Sequence, residues 1–144
     1  MTDQEFHNVG VDPQIVQRNF VDPQDHGAAT GIAAAIADPL DTRGAFSDGD
    51  DGRLTAGVTF ELEGAFRTPG LRCVSQRPTF MHTGQLATLD QVVAFFDQGG
   101  DKGGYPGGSE IAPLGLTPEE RGDLVAFLEA LAGPGADSKY LQAP

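Results

Sequence analysis

The 144-residue chain lacks several features that would assign it to a common protein class. It has one cysteine, so an intrachain disulfide is excluded. Lysine and arginine total nine against twenty-one acidic residues, and the net charge of −12 disfavours binding to nucleic acid and to anionic membrane surfaces. The longest apolar run, residues 31–37, is too short to cross a bilayer, and no secretory leader is recognisable. The acidity would attract a basic partner, or it serves solubility alone.

Glycine and proline are abundant instead. Twenty glycines and ten prolines predict long loops around a thin hydrophobic core, and the length predicts a single domain. A large flat cofactor enclosed by such a core is one way in which this composition becomes stable.

The stretch from Gly64 to Phe96 contains the clearest helix signal. Thr88 and Gln91 form a capping box, in which the hydroxyl and the amide each satisfy an unpaired backbone N–H group. Apolar residues then recur at helical spacing, which predicts an amphipathic helix of about three turns. These residues are Leu89, Val92, Val93 and Phe96. We expect Phe96 to face inward at the far end of this helix.

A helix is also predicted in the first third of the chain. Asp22 is a suitable N-cap and Pro23 fits the first helical position, while Pro39 ends the helix after Asp38. Its apolar face consists of Ala28, Ile32, Ala35 and Ile36. Looser alternation of apolar residues over 55–63 predicts a short extended segment.

The last predicted helix begins at Thr117. This residue is the N-cap, Pro118 takes the first helical position and Glu120 completes a capping box. The expected buried stripe consists of Leu124, Phe127, Leu128 and Leu131. Gly133 and Pro134 end the helix.

Several motifs together carry a resemblance to a known family. They read FRTPGLR, PTFMHTG, ATLDQVVAFFDQGG and PLGLTPEERGDLVAFLEALAG, with FHNVGV and GAFSD upstream. In this pattern the chain resembles the C-terminal domain of the bacterial di-haem cytochrome c peroxidases and their MauG-like relatives. The resemblance implies an all-α, loop-rich, cytochrome c-like fold of about four helices over residues 1–144, with 135–144 as a frayed tail. It also implies a periplasmic location.

The function that the resemblance implies is electron transfer through a c-type haem toward peroxide reduction. The expected partners are a small redox protein as electron donor and an N-terminal haem domain. In the family the FHNVGV block follows a Cys-x-x-Cys-His haem-attachment motif, which does not occur in this sequence. We therefore expect a fragment that is incomplete at its N-terminal side and has no peroxidase activity alone. The alternative is a haem-free, cytochrome-like module for docking or structural pairing.

The resemblance also implies which residues lie at the haem. The FRTPxLR loop lies against it in the family, which assigns Leu71 and Arg72, with Arg72 suited to neutralising a propionate. Met81 and His82 belong to the turn near the haem edge, and His7 could orient the pocket. Phe96 takes the position of the distal ligand, where relatives carry Met or Tyr, although its ring has no atom that can ligate iron.

Structural alternatives stay open for each of these site residues. His7 and His82 could be loop histidines bonded to backbone groups, Arg72 could pair with a carboxylate, and Met81 could be a core thioether. If no haem is bound, Phe96 contributes only its burial. No catalytic residue and no metal ligand is assigned in this chain.

We interpret two further features, Cys73 and residues 47–52, as structural. Cys73 stands where relatives carry Asn, and we interpret it as a small buried filler. Residues 47–52 depart from the calcium-loop pattern and are interpreted as a solvated acidic turn. The family's inter-domain calcium, with matching positions near Arg77 and Thr79, is expected only in the full-length parent.

Overall fold

The described part of the chain contains three α-helices and a small sheet. The computed structural model describes residues 5–11, 27–49, 52, 55–82, 84–102 and 109–134. The elements in chain order are β1 (Phe6–His7), α1 (Ala28–Ala37), β2 (Phe66–Arg67), α2 (Leu89–Asp97) and α3 (Pro118–Ala130), with short 3-10 helices at Phe60–Leu62 and Val74–Gln76. Because β1 and β2 pair, the expectation of an all-α fold is correct only in part. The predicted tail over 135–144 lies outside the described residues.

Helix α2 begins at the predicted capping box. The N–H of Gln91 donates to the Thr88 hydroxyl at 3.2 Å, and the side-chain oxygen of Gln91 accepts from the N–H of Thr88 at 3.3 Å. Leu89 and Val93 are buried as predicted, but Phe96 is 36% exposed, so its predicted inward orientation is wrong. Of the predicted apolar stripe of α2, only the first part is buried against α3, because Leu89 and Val93 are the buried residues of α2 and share a core with Leu128.

Helix α3 begins in the same way, with reciprocal bonds between Thr117 and Glu120 of 3.2 and 2.8 Å. Leu128 is buried, whereas Phe127 is 56% exposed, so the predicted burial of Phe127 is wrong. Successive helical residues are about 100° apart, since one turn takes 3.6 residues. The buried stripe is rotated toward Val125, which packs on the core and leaves Phe127 on the outer edge.

These two helices close the larger of two hydrophobic cores, named here the α2–α3 core. Partly buried leucines and valines surround its five buried members. The buried members are Val74, Phe80, Leu89, Val93 and Leu128. Backbone hydrogen bonds between Phe80 and Leu86, of 2.8 and 3.4 Å, close the turn that leads into α2.

The smaller core, named the α1 core, consists of Ala28, Ile32 and Ala65 with Leu62 packed against them. Helix α1 begins at Ala28 after Gly27, whose φ of 65° is not helical; the predicted start at Asp22 and Pro23 lies outside the described residues. The helix ends before Pro39, as predicted.

The predicted extended segment over 55–63 is wrong in its second half. The N–H of Leu62 donates to the Thr59 carbonyl at 3.2 Å, and the N–H of Glu63 to the Phe60 carbonyl at 3.1 Å, which forms a 3-10 turn. This turn brings Leu62 onto the α1 core and leaves Val58 and Phe60 exposed.

The N-terminal segment connects the strands to the loop after α2. Strands β1 and β2 pair antiparallel, with Phe6 opposite Arg67 and His7 opposite Phe66. Beyond β1, the N–H of Asp101 donates to the carbonyl of Val9 at 3.1 Å. Gly10 has a φ of 75°, and a Cβ there would collide with the Asp101 carbonyl oxygen, so only glycine fits.

No helix in the described ranges is long and apolar enough to span a membrane.

Candidate functional site

The strand pair brings the two candidate histidines to one side of the ribbon. His7 lies directly opposite Phe66, and directly opposite residues of an antiparallel pair project to the same face. The imidazole of His82 stacks on the Phe66 ring, with centroids 3.6 Å apart and planes 17° apart. His7 Nδ1 lies 2.8 Å from Glu110 Oε1. His7 and His82 therefore share Phe66 as a neighbour, although about half of the chain lies between them in the sequence.

The turn that carries His82 has an unusual backbone. Met81 is half-buried and has a φ of 65°, a conformation that L-residues adopt rarely. The N–H of Gly84 donates to the Met81 carbonyl at 3.3 Å and closes the turn. Thr83 lies outside the described residues. The turn directs Met81 and His82 differently, since Met81 is half-buried whereas His82 is exposed on Phe66.

Leu71 and Arg72 lie on the surface just before the second 3-10 helix. Leu71 is 48% exposed, and Arg72 is exposed and forms no ion pair with any residue that the structure describes. Cys73 follows with a φ of 53°, and its N–H donates to the Leu131 carbonyl at 3.1 Å. Cys73 is half-buried, so it is less enclosed than a core filler.

The end of α2 carries an aromatic pair and an anchoring carboxylate. Phe95 and Phe96 meet edge to face, with centroids 5.7 Å apart. The next residue, Asp97, accepts from the N–H of Leu116 at 2.7 Å and lies 3.3 Å from Arg121 Nε. Asp97 thereby fixes the loop before α3 against the end of α2, next to the exposed ring of Phe96.

The donor atoms present do not fit a haem c attached to this chain itself. Such a haem needs two thioethers beside a proximal histidine, and the chain has one cysteine. His7 is engaged by Glu110, and Phe96 offers no donor. Within the described ranges, no group of three or more His, Cys, Asp or Glu residues could hold a metal ion. Leu71, Arg72 and Phe96 are each exposed, and two of them are apolar and one is cationic.

Three residues of this region had no assigned role in the sequence analysis: Phe66, Glu110 and Asp97. Each acts through a partner far away in the sequence. Phe66 lies in the FRTPGLR motif and Asp97 in the ATLDQVVAFFDQGG motif, whereas no motif contains Glu110.

Comparisons with known proteins agree with the motifs. No family model matches the chain. Cytochrome-c peroxidase IdrP1 of Denitromonas iodatirespirans is 56% identical over 70 residues, which are 48% of this chain and 18% of that protein. Methylamine utilization protein MauG of Methylorubrum extorquens is 41% identical over 81 residues, which are 56% of this chain and 22% of that protein. The chain spans about a fifth of the length of these relatives.

One solved structure shares the fold. A MauG-like protein associated with microbial copper homeostasis superposes with a TM-score of 0.56 and 24% identity, covering 92% of this chain and 36% of that one. This likeness concerns the fold alone, and it fits a cytochrome c-like architecture. The resemblance indicated by the motifs is therefore confirmed: over about half of its length the chain is similar to cytochrome c peroxidases and to MauG.

Proposed function

We propose that the chain is the C-terminal haem-domain portion of a periplasmic oxidoreductase of the di-haem cytochrome c peroxidase type. In that assembly it takes part in electron transfer from a small redox protein toward peroxide reduction. The sequence similarity to cytochrome-c peroxidase IdrP1 and to MauG supports the class of protein.

One observation favours a contribution to a haem pocket. The Leu71 carbonyl accepts from the N–H of the buried Val74 at 3.1 Å, and Phe96 lies three residues after the buried Val93 on α2. Leu71 and Phe96 expose 48% and 36% of their surface, and Arg72 follows Leu71 in the sequence. Apolar side chains suit the faces of a porphyrin, and a guanidinium suits a propionate. We name these three residues the wall. The wall supplies neither tether nor iron ligand, so both must come from another polypeptide segment.

The other candidate residues have supporting roles in this proposal. His82, stacked on Phe66, occupies the edge of the pocket, and Met81 fills the turn beneath it. His7 is oriented by Glu110 and connects β1 to the loop before α3. None of them is proposed as a catalytic residue.

The test uses the purified full chain, expressed where c-type haem is attached to proteins. A pyridine haemochrome assay should find no covalent haem, and peroxidase assays should find no activity. Stoichiometric covalent haem would contradict the proposal that the tether lies elsewhere.

The wall is tested by adding haemin to the same protein. Phe96→Ser and Arg72→Ala should each weaken binding several-fold, as read from the shift of the Soret band. Phe127→Ser and Arg77→Ala are the matched controls, because both parent residues are exposed and outside the wall. Equal affinity of wall and control variants would refute this role.

A haem-free docking module is the second candidate, and the α2–α3 core favours it. That core is closed by its own side chains, and both helices have complete capping boxes. This candidate predicts a cooperative thermal unfolding of the protein without haem. The first candidate predicts a loosely packed protein that haemin stabilises.

A further inference from the structure

The N-terminal segment 5–11 bonds to both halves of the fold. On the side of the α1 core, the side-chain amide of Asn8 donates to the carbonyl of Glu63 at 3.1 Å, just after the 3-10 turn that packs on that core. On the side of the α2–α3 core, the N–H of Asp101 donates to the carbonyl of Val9 at 3.1 Å. The segment therefore links two hydrophobic cores that share no residue.

One further contact of this segment joins two titratable side chains. The N–H of Glu110 donates to the carbonyl of Asn8 at 3.0 Å, and Glu110 Oε1 lies 2.8 Å from His7 Nδ1. These two bonds hold the loop before α3 against the end of β1. The side chains of His7 and Glu110 are 37% and 47% exposed, so the imidazole exchanges protons directly with solvent.

The surroundings of His7 are predominantly acidic. The titratable and charged residues on the described elements that bond to this segment or pack beside it are Glu5, Glu63, Arg67, His82, Asp101, Lys102 and Glu110. Four of them are acids and two are cations, while His82 stacks on Phe66, the residue opposite His7. Glu110 is in direct contact, and a carboxylate at this distance favours the protonated imidazole.

Protonation of His7 changes the strength of its contact with Glu110 near neutral pH. An unperturbed histidine has a pKa of about 6.5, so an imidazole gains or loses its charge in this range while carboxylates stay ionised. A bond between an imidazolium and a carboxylate is charge-assisted at both ends, and a neutral imidazole forms a weaker one. A histidine that gains such a partner on folding stabilises the fold at low pH, and this contribution is lost as the pH rises through the folded-state pKa.

We propose that His7 and Glu110 form a pH-sensitive latch. The latch is closed while the His7 imidazole is protonated, and it loosens between about pH 6 and 8 as the proton leaves. Loosening frees the loop before α3 from β1, whereas the bond between Asp101 and Val9 stays, because it joins two backbone groups and no titratable side chain. The proposal requires no haem and does not rest on the proposed function.

The experiment is amide hydrogen exchange of the full chain, followed by NMR between about pH 5.5 and 8.5. The N–H of Glu110 measures the opening of the latch, because its acceptor is the carbonyl of Asn8. After correction for the intrinsic exchange rate, its opening equilibrium constant should rise about two- to fivefold across this range, as expected for an exposed ion pair. The N–H of Asp101, bonded to Val9, is the internal control and should show a constant opening equilibrium.

Variants identify the titrating pair. Glu110→Gln keeps the backbone bond and a neutral acceptor but removes the charge, so the pH response should disappear. His7→Gln should abolish the response as well, and the double variant should behave like either single variant, because the two residues act as one pair. His82→Gln and His26→Gln are the matched controls, since they remove the other two histidines of the chain, and both should keep the wild-type response.

A second measurement titrates the His7 imidazole directly by NMR. Its midpoint should be lower in Glu110→Gln than in the wild type, and equal midpoints would overturn the proposal. An opening of the Glu110 amide that does not depend on pH, or an unchanged response in Glu110→Gln, would also overturn it. A response that disappears in His82→Gln would assign the titration to the stacked imidazole instead, and an equal rise in the opening of the Asp101 amide would show general loosening of the fold rather than a latch.

Discussion

Asp97 is the residue whose removal we expect to weaken the α2–α3 core most clearly without creating a cavity. Its side chain is 12% exposed and accepts from the N–H of Leu116 at 2.7 Å, while its second oxygen lies 3.3 Å from Arg121 Nε. Its own carbonyl accepts from the N–H of Leu114 at 2.9 Å, and that bond survives any substitution of the side chain. Asp97→Ala therefore removes one charged hydrogen bond and one ion pair.

The magnitude follows from these two contacts. A hydrogen bond to a charged group contributes about 1.5–3 kcal/mol. The ion pair adds between about 0 and 1 kcal/mol, because the Arg121 side chain is 45% exposed. We expect Asp97→Ala to lower the free energy of unfolding by about 1.5–4 kcal/mol. Asp97→Asn keeps an acceptor for Leu116 and should cost about half as much.

The assay is urea unfolding followed by circular dichroism, with the slope compared between variants so that changes in the unfolded state are recognised. Asp123→Ala is the matched control, since Asp123 is an exposed carboxylate on α3. It should change the free energy of unfolding by less than about 0.5 kcal/mol. If Asp97→Ala destabilises no more than Asp123→Ala, the anchoring role of Asp97 is refuted.

Three further predictions concern the acid response, a close backbone approach and a helix cap. Folding lowers the pKa of the Glu61 carboxyl from 4.5, chiefly through a hydrogen bond from the Thr59 side chain. The stabilisation that the ionised Glu61 contributes is therefore present above pH 4.5 and is lost as the pH falls through the lowered pKa. Carboxyl NMR titration should show that pKa returning toward 4.5 in Thr59→Ala. Gly10→Ala should abolish native structure, because the added Cβ has no room beside the Asp101 carbonyl. Gly122→Ala is the comparison, since Gly122 lies within α3 with open space around it. It should raise the free energy of unfolding by about 0.5–1 kcal/mol in urea titrations. Thr117→Ala removes the hydroxyl that caps α3 and should cost about 1 kcal/mol in the same assay, and an unchanged midpoint would contradict it.

The helix starts could be predicted because their causes are local. Both capping boxes need only two residues three positions apart, and both appear with the predicted bonds. The same holds for the end of α1 before Pro39, since proline acts on its own turn. Periodicity also placed Leu89, Val93 and Leu128 in the core.

The burial of Phe96 and Phe127 could not be predicted from the same periodicity. An apolar spacing indicates which side of a helix is apolar, but it does not indicate how far along that side a neighbour extends. In the structure α3 covers Leu89 and Val93 and leaves Phe96 partly open, while Val125 takes the core position expected of Phe127. The strand pair was missed because each strand has two residues and the partners are distant in sequence.

The sequence named the candidate residues one by one and did not indicate how they are arranged. His7 and His82 were both candidates, but their common neighbour Phe66 follows from strand register, which no local pattern encodes. Their roles at a haem remain part of the proposed function.

The two hydrophobic cores share no residue, and they differ in size. The buried part of the α1 core has two alanines and one isoleucine, so it gains far less from burial than the α2–α3 core does. Native-state hydrogen exchange should therefore separate two cooperative units, with the amides of α1 exchanging through a low-energy opening that leaves α2 and α3 intact.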